Sequence, residues 1–439
     1  MGARATRPRR GWLAGVAAIV AATALGLAGC QPESGEGPRE VAGERGDSAP
    51  STDPTPTAPQ AEITVRPADG AQDVAPDTPV TVEVAHGTLS EVAVAPADDS
   101  DEAGIDPAAA GDPTGDDAVT GTLNDDKTTW TADGGLLQDT AYQVTASAVD
   151  AHGRTTEVTQ RFRTLQADTI LGTEITPDGT TVGVGHPLVV KFSTDVADEA
   201  KADVERALVV ESSNPVEGAW HWFTDDTIHY RPKEYWPAHT DVTVRLDLRG
   251  VSGGEGVWGI RDKVKEFSIG RSIITKVDLT RHQQQVFIDG ELARTIPITA
   301  GQPGWETRSG VKVVLERRRD ITLRSESIGI ANENSDHYYN MFAPYALRVT
   351  WSGEFHHTAD WSIWAHGNSN VSHGCVGMGV EDSRWMWENS QVGDVVEVTG
   401  SDKPMDVFGN GYGDWNLSWE QWLEGSALAG EDAETEAGS

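Results

Sequence analysis

Apolar residues recur at every second position in one short stretch after another, and Gly, Pro or Asp closes each stretch. The pattern runs through 63–65, 80–84, 92–94, 128–131, 142–148 and 159–164, and it resumes further on. A period of two puts alternate side chains on opposite faces of an extended strand, whereas a helix needs a period near 3.6. The 47 glycines and 22 prolines among 439 residues interrupt helices and supply turns. The chain is therefore expected to be mainly β.

The pattern is repeated. Pro67-Ala68-Asp69-Gly70 followed by Pro79-Val80 is echoed by Pro177-Asp178-Gly179 followed by Pro187-Leu188. Asp139-Thr140-Ala141-Tyr142 is echoed by His239-Thr240-Asp241-Val242. Short strands with turn signals at this spacing predict two tandem immunoglobulin-like sandwiches, 61–166 and 167–270. Neither holds a catalytic cluster, so both read as spacers. The acidic run 98–117 reads as an exposed loop of the first. Residues 271–399 form a further β-rich domain. Gln285 to Ile288, Asp289-Gly290 and Leu292 to Ile298 predict a hairpin with a tight primed turn. Residues 381–389 predict a short helix. Residues 400–427 form a Trp-rich, partly helical subdomain, in which Ser418 and Gln421 carry a capping-box pattern. Residues 428–439 read as an acidic, disordered tail.

The first 30 residues are read as an export signal. Arg4, Arg7, Arg9 and Arg10 precede an apolar run, which ends in Leu27-Ala28-Gly29-Cys30. That ending resembles the lipobox of bacterial lipoproteins, which implies a lipid on Cys30 and a protein held on the outer face of the cell membrane, reaching into the wall. Residues 31–60 are rich in Pro, Ser, Gly, Glu and Thr and read as a disordered tether. As a flexible coil it would span on the order of 30 Å. The formal net charge is −35, so nucleic acid is not an expected partner.

Only two cysteines are present, Cys30 and Cys375. With Cys30 lipidated, Cys375 has no partner for a disulfide. It lies in Val371-Ser372-His373-Gly374-Cys375-Val376, with histidines at 356, 357 and 366. A lone thiol with a histidine within reach is a candidate nucleophile and base. Backbone N–H groups of His373, Gly374 and Cys375 are candidate oxyanion donors, with Gly374 permitting the tight turn. His373 itself is too close along the chain to serve easily as the base and is expected to hold the turn.

Ser372-His373-Gly374-Cys375, preceded by His357-Thr358 eighteen residues before the thiol, resembles the L,D-transpeptidase catalytic domain. The lipobox, the two sandwiches and the tail Gly413-Asp414-Trp415-Asn416 with Trp419 and Gln421-Trp422 are similar to the actinobacterial members. The resemblance implies that Cys375 is acylated, that His357 is the general base and that the Thr358 carbonyl orients it. It implies that Tyr339 and Trp361 line the substrate pocket and its lid, and that 307–310 forms a turn introducing a core strand. Ser372 and Asn370 are further candidates for substrate contact. Gly377 departs from the Asn or Arg of relatives, and the missing contact is sought in Arg384 or Asn370. The stretch 336–344 is read as a lid. The implied reaction transfers a peptidoglycan tetrapeptide stem to a second stem, releasing D-alanine and forming a 3→3 cross-link, with no cofactor. Carbapenems are the implied inhibitors.

Three other readings remain at this stage. The histidines and Cys375 could hold zinc, although their spacing fits no common finger and adjacent His356 and His357 point to opposite faces of a strand. The chain could be a non-catalytic wall-binding lipoprotein. It could also hydrolyse its acyl-enzyme as an L,D-carboxypeptidase or endopeptidase.

Overall fold

The computed structural model describes residues 59–97, 119–329, 331–335 and 337–429. The signal segment with Cys30, nearly all of the tether, the acidic run 98–117, position 336 and the tail beyond 429 lie outside the described residues.

The first sandwich has two four-stranded sheets. One joins Glu62–Arg66, Thr81–Ala85, Thr129–Ala132 and Gly121–Leu123 in that order. The other joins Ala71–Val74, Thr155–Thr164, Ala141–Asp150 and Gly87–Pro96. Alternation places Tyr142, Val144, Ala146 and Ala148 of one strand inside, against Val65, Val82, Trp130 and Phe162. The strands 71–74 and 121–123 carry too few apolar residues to be seen in the sequence, and pairing with long neighbours makes them.

The second sandwich repeats the plan. One sheet joins Thr173–Thr176, Leu188–Phe192, Thr227–Pro232 and Gly218–Thr224; the other joins Thr181–Val182, Lys263–Ile269, Asp241–Leu246 and Leu208–Ser212. The strands Glu62–Arg66 and Thr173–Thr176 both end in a cis X–Pro bond, Arg66–Pro67 and Thr176–Pro177, at the echoed prolines.

In the third unit we label β1 (Ile273–Asp278), β2 (Gln283–Ile288), β3 (Glu291–Pro297), β4 (Gly310–Val313), β5 (Glu316–Arg324), β6 (Asn340–Arg348), β7 (Phe355–Thr358), β8 (Val376–Met378), α1 (Val380–Asn389) and β9 (Val395–Thr399). One sheet runs β3-β2-β1-β9-β4 and the other β5-β6-β7-β8. The β2–β3 turn has Asp289 at φ 50° and Gly290 at φ 85°, the left-handed pair a primed turn requires. Ile273, Val277, Ile296, Leu347, Val376, Met378 and Met386 of α1 fill the core. An antiparallel bridge between Thr299 and Gly377, with N–H···O distances of 2.9 and 2.8 Å, ties the end of β3 to β8.

The carboxy-terminal segment clamps this unit to the second sandwich. The Asn416 amide accepts from the Val311 N–H at 2.8 Å and donates to the Val311 carbonyl at 2.7 Å, which grips β4. Residues Trp419–Leu423 form a one-turn helix, α2, closed by the capping box: Gln421 N–H donates to Ser418 Oγ and Ser418 N–H to Gln421 Oε1. Trp422 is fully buried and donates its indole N–H to the Ala219 carbonyl. The Arg231 guanidinium lies 4.8, 5.4 and 4.5 Å from the rings of Trp415, Trp419 and Trp422. Desolvated contacts of that kind are worth on the order of 1–2 kcal/mol each. These contacts pack the tryptophans of the carboxy-terminal segment against the second sandwich.

Candidate active site

β7 and β8 pair in parallel, with His356 opposite Val376, His357 opposite Gly377 and Thr358 opposite Met378. Residues two apart on a strand share a face, so Cys375, Gly377 and His357 face one way and His356 and Val376 the other. The first face opens into a cavity of about 220 Å³ lined by Cys375, His357, Tyr339, Trp361, His373 and Gly377, among others. His356 turns into the protein, where neither ring nitrogen has a partner and burial pushes its pKa down to about 3. The adjacent histidines therefore do not converge on one point.

His357 is buried, and its Nδ1 lies 2.7 Å from the carbonyl oxygen of Thr358. A carbonyl only accepts, so Nδ1 carries the proton and Nε2 keeps its lone pair. Burial lowers the imidazole to about 4, partly opposed by that carbonyl. The Trp361 ring stacks on it at 5.8 Å. The Cys375 sulfur faces the Gly353 carbonyl at 3.5 Å. Burial pushes the thiol up to about 12, while the Phe355 N–H pulls it down. The resting pair is a neutral thiol and a neutral imidazole, not a preformed ion pair.

Several expectations change. Ser372, sought as a substrate contact, lines the cavity but its hydroxyl donates to the Cys375 carbonyl at 2.6 Å and accepts from the Gly374 N–H at 3.2 Å. It is Ser372 that closes the turn, and the Gly374 N–H is spent on it rather than offered to an oxyanion. Gly374 sits at φ 120°, which a side chain would oppose. His373 does not hold the turn: its ring packs against Trp305, His337 and Tyr339, with Nε2 3.1 Å from His337 Nδ1.

Asn370 does not line the cavity. Its amide accepts from the Ala300 N–H at 3.1 Å and donates to the Leu279 carbonyl at 3.0 Å, bracing the base of the loop. Arg384 lies on the exposed side of α1, paired with Glu388 at 2.8 Å. Neither replaces the polar residue absent at 377. A Cβ on Gly377 would stand 2.6 Å from the Ala359 Cβ and 3.1 Å from Thr299 Cγ2, so the pocket wall itself excludes a side chain there.

The supposed lid is shorter than expected. Asn340–Arg348 is a strand paired with β5, so Met341 and Phe342 belong to the sheet; Met341 still lines the cavity, and Phe342 does not. From the hairpin before Asn340, His337, Tyr338 and Tyr339 line it. Thr307 does more than introduce β4. Its hydroxyl donates to the Gly374 carbonyl at 2.8 Å and accepts from the Gly301 N–H at 2.9 Å. The sequence reading missed this contact and that of Gly353; a threonine and a glycine in loops carry no signal of which turn they will touch.

Residues 71–252 match the family model of a bacterial Ig domain, across parts of both sandwiches, and 272–398 match the L,D-transpeptidase catalytic domain. L,D-transpeptidase 5 of Mycobacterium tuberculosis is 34% identical over 378 residues, which cover 84% of this chain and 78% of that one. L,D-transpeptidase 2 of the same species is 30% identical over 424 residues, 97% of each chain. This chain belongs to the L,D-transpeptidase family. A solved L,D-transpeptidase in complex with imipenem shares 33% identity over 52% of this chain and 99% of its own, with a TM-score of 0.46. The protein is an enzyme with peptidoglycan L,D-transpeptidase activity, and its thiol and imidazole share one pocket.

His357→Ala is expected to slow acylation of Cys375 by roughly 10²–10⁴-fold, the usual worth of a positioned base. His356→Ala and His366→Ala, if folded, should stay within about tenfold, since neither ring lines the cavity. In the unsubstituted protein the rate should fall as pH drops through about 4, where His357 takes up a proton, and not near 6.5. Stopped-flow acylation across pH checks both; a half-maximum near 6.5 would contradict the buried neutral base.

Proposed function

We propose that Cys375 is the acylated nucleophile and His357 its general base in the formation of 3→3 cross-links. The observation that carries the reading is the β7–β8 register, which turns the thiol and the free imidazole nitrogen into the same cavity. At a thiol pKa of about 12, on the order of one Cys375 in 10⁵ is ionised at pH 7. The proton therefore leaves Sγ for His357 Nε2 as sulfur bonds to the carbonyl carbon of the third stem residue. His357 then hands that proton to the departing D-alanine amine. The side-chain amine of a second stem attacks the thioester, loses a proton to His357, and Sγ recovers it. No atom in this sequence calls for a cofactor.

Hydrolysis competes with transfer. Tyr339 and Trp361 wall the cavity on two sides, and apolar walls favour a bound amine over water. The same walls and thiol suit a β-lactam, an activated cyclic amide that a thiol opens, and we infer that carbapenems acylate Cys375. We also infer, from the basic-apolar-lipobox order, that the protein is lipid-anchored through Cys30 on the outer face of the membrane. Cys30→Ala should then leave the membrane fraction; unchanged attachment would remove that inference.

Tetrapeptide stems supplied at high concentration should give cross-linked dimer short of one D-alanine, read by mass spectrometry. Tyr339→Ala should shift the product several-fold toward free tripeptide. Tripeptide alone from the unsubstituted enzyme, with excess acceptor present, would make it an L,D-carboxypeptidase.

A further inference from the structure

Beneath the nucleophile lies a group of charges that the reaction above does not use. Lys312 of β4 is wholly buried, and its Nζ is 2.5 Å from Glu354 Oε2. The other carboxylate oxygen of Glu354 lies 3.0 Å from Arg308 Nη1 and 3.2 Å from the Arg308 backbone nitrogen. Arg308 also meets Asp406 at 3.1 Å, on the solvent side. Burying two ions costs several kcal/mol each, and an apolar pair of the same volume is often no less stable. Stability alone is a poor reason for this lysine.

The carboxylate joins the two segments that hold the Cys375 turn. On one side it fixes Arg308, next to Thr307, whose hydroxyl holds the Gly374 carbonyl. On the other, its own backbone lies between Gly353, whose carbonyl faces the sulfur, and Phe355, whose N–H faces it. Glu354 N–H is itself held by Thr350 Oγ1 at 2.9 Å. A β-carbon on Gly374 would stand 3.9 Å from Glu354 Oε1, so the carboxylate is close to the turn.

A carboxylate in that place opposes any negative charge on the sulfur. We propose that Glu354 is the positioning residue of the nucleophile turn, and that Lys312 is buried beneath it to cancel its charge at Cys375. The directions of the interactions agree: the Glu354 charge raises the thiol and the Lys312 charge lowers it. Burial pulls the ammonium of Lys312 down and Glu354 holds it up. The remaining titratable groups in the cavity of the thiol are His357 on β7, His373 of the Cys375 turn and, ahead of β6, His337 and Tyr339, whose hydroxyl burial pushes up to about 12. His356, beside Lys312 on the other face, stays neutral.

This inference rests on Cys375 being the nucleophile, and the test separates the two. Full-length protein is treated with iodoacetamide from pH 7 to 10, and labelling of Cys375 is followed by peptide mass. Lys312→Met should slow labelling at least tenfold and move the log rate against pH upward by about one unit, since tenfold is one unit. Adding Glu354→Gln should restore most of the rate, because no uncompensated charge then faces the sulfur. Lys312→Arg should stay near the parent. A merely structural pair would leave the double variant no faster than the single one. If Lys312→Met does not fold, Arg308→Gln, at the partly exposed end, makes the same comparison with and without Glu354→Gln. Labelling within twofold of the parent in the folded single variant, or no recovery in the double, overturns the proposal. Failure to label Cys375 in the unsubstituted protein would instead remove the nucleophile reading.

Discussion

The parallel pairing of β7 with β8 is the constraint on which the site depends. A one-residue slip would turn His357 inward and put His356 into the cavity. The register is held from three directions. Val376 and Met378 are buried in the core on one face. The Thr299–Gly377 bridge pins β8 to the end of β3. Gly377 also fits where a side chain would strike Ala359. The clamp of the carboxy-terminal segment acts on the same framework at a distance, since Asn416 holds β4, and β4 carries Lys312.

Electrostatically, the pocket keeps its reactants uncharged until they are needed. Burial acts in the same sense on both, toward the neutral form, raising the thiol and lowering the imidazole. A standing thiolate would react with any oxidant or electrophile that reached it. A neutral thiol whose proton moves only as the substrate carbonyl arrives avoids that. The cost is that every fixed charge near the sulfur matters, which is why a carboxylate at Glu354 comes with two cations.

That Cys375 and His357 come to share one cavity was legible because a thiol without a partner and a histidine at family spacing carry meaning without a structure. The β class and the hairpin at Asp289-Gly290 were legible because period-two alternation and turn chemistry are local. Asn370 lies off the cavity and Ser372 lines it while closing the turn: a hydroxyl or amide beside a nucleophile can serve substrate or backbone, and the sequence does not show which. Lys312 was invisible for a sharper reason. In Val311-Lys312-Val313 a lysine between two apolar strand residues reads as solvent-facing, and its burial depends on Glu354, 42 residues away. The end of the lid was misjudged because aromatic residues suit a strand edge as well as a loop.

The central claim is that Cys375, and no other group, carries the acyl chain. Intact-protein mass spectrometry after brief exposure to a carbapenem tests it most directly. The account gives a single adduct of the carbapenem's mass, located on Cys375 by peptide mapping, and none in Cys375→Ala. An adduct that persists in Cys375→Ala, or an unsubstituted folded protein that gains no mass, would contradict it.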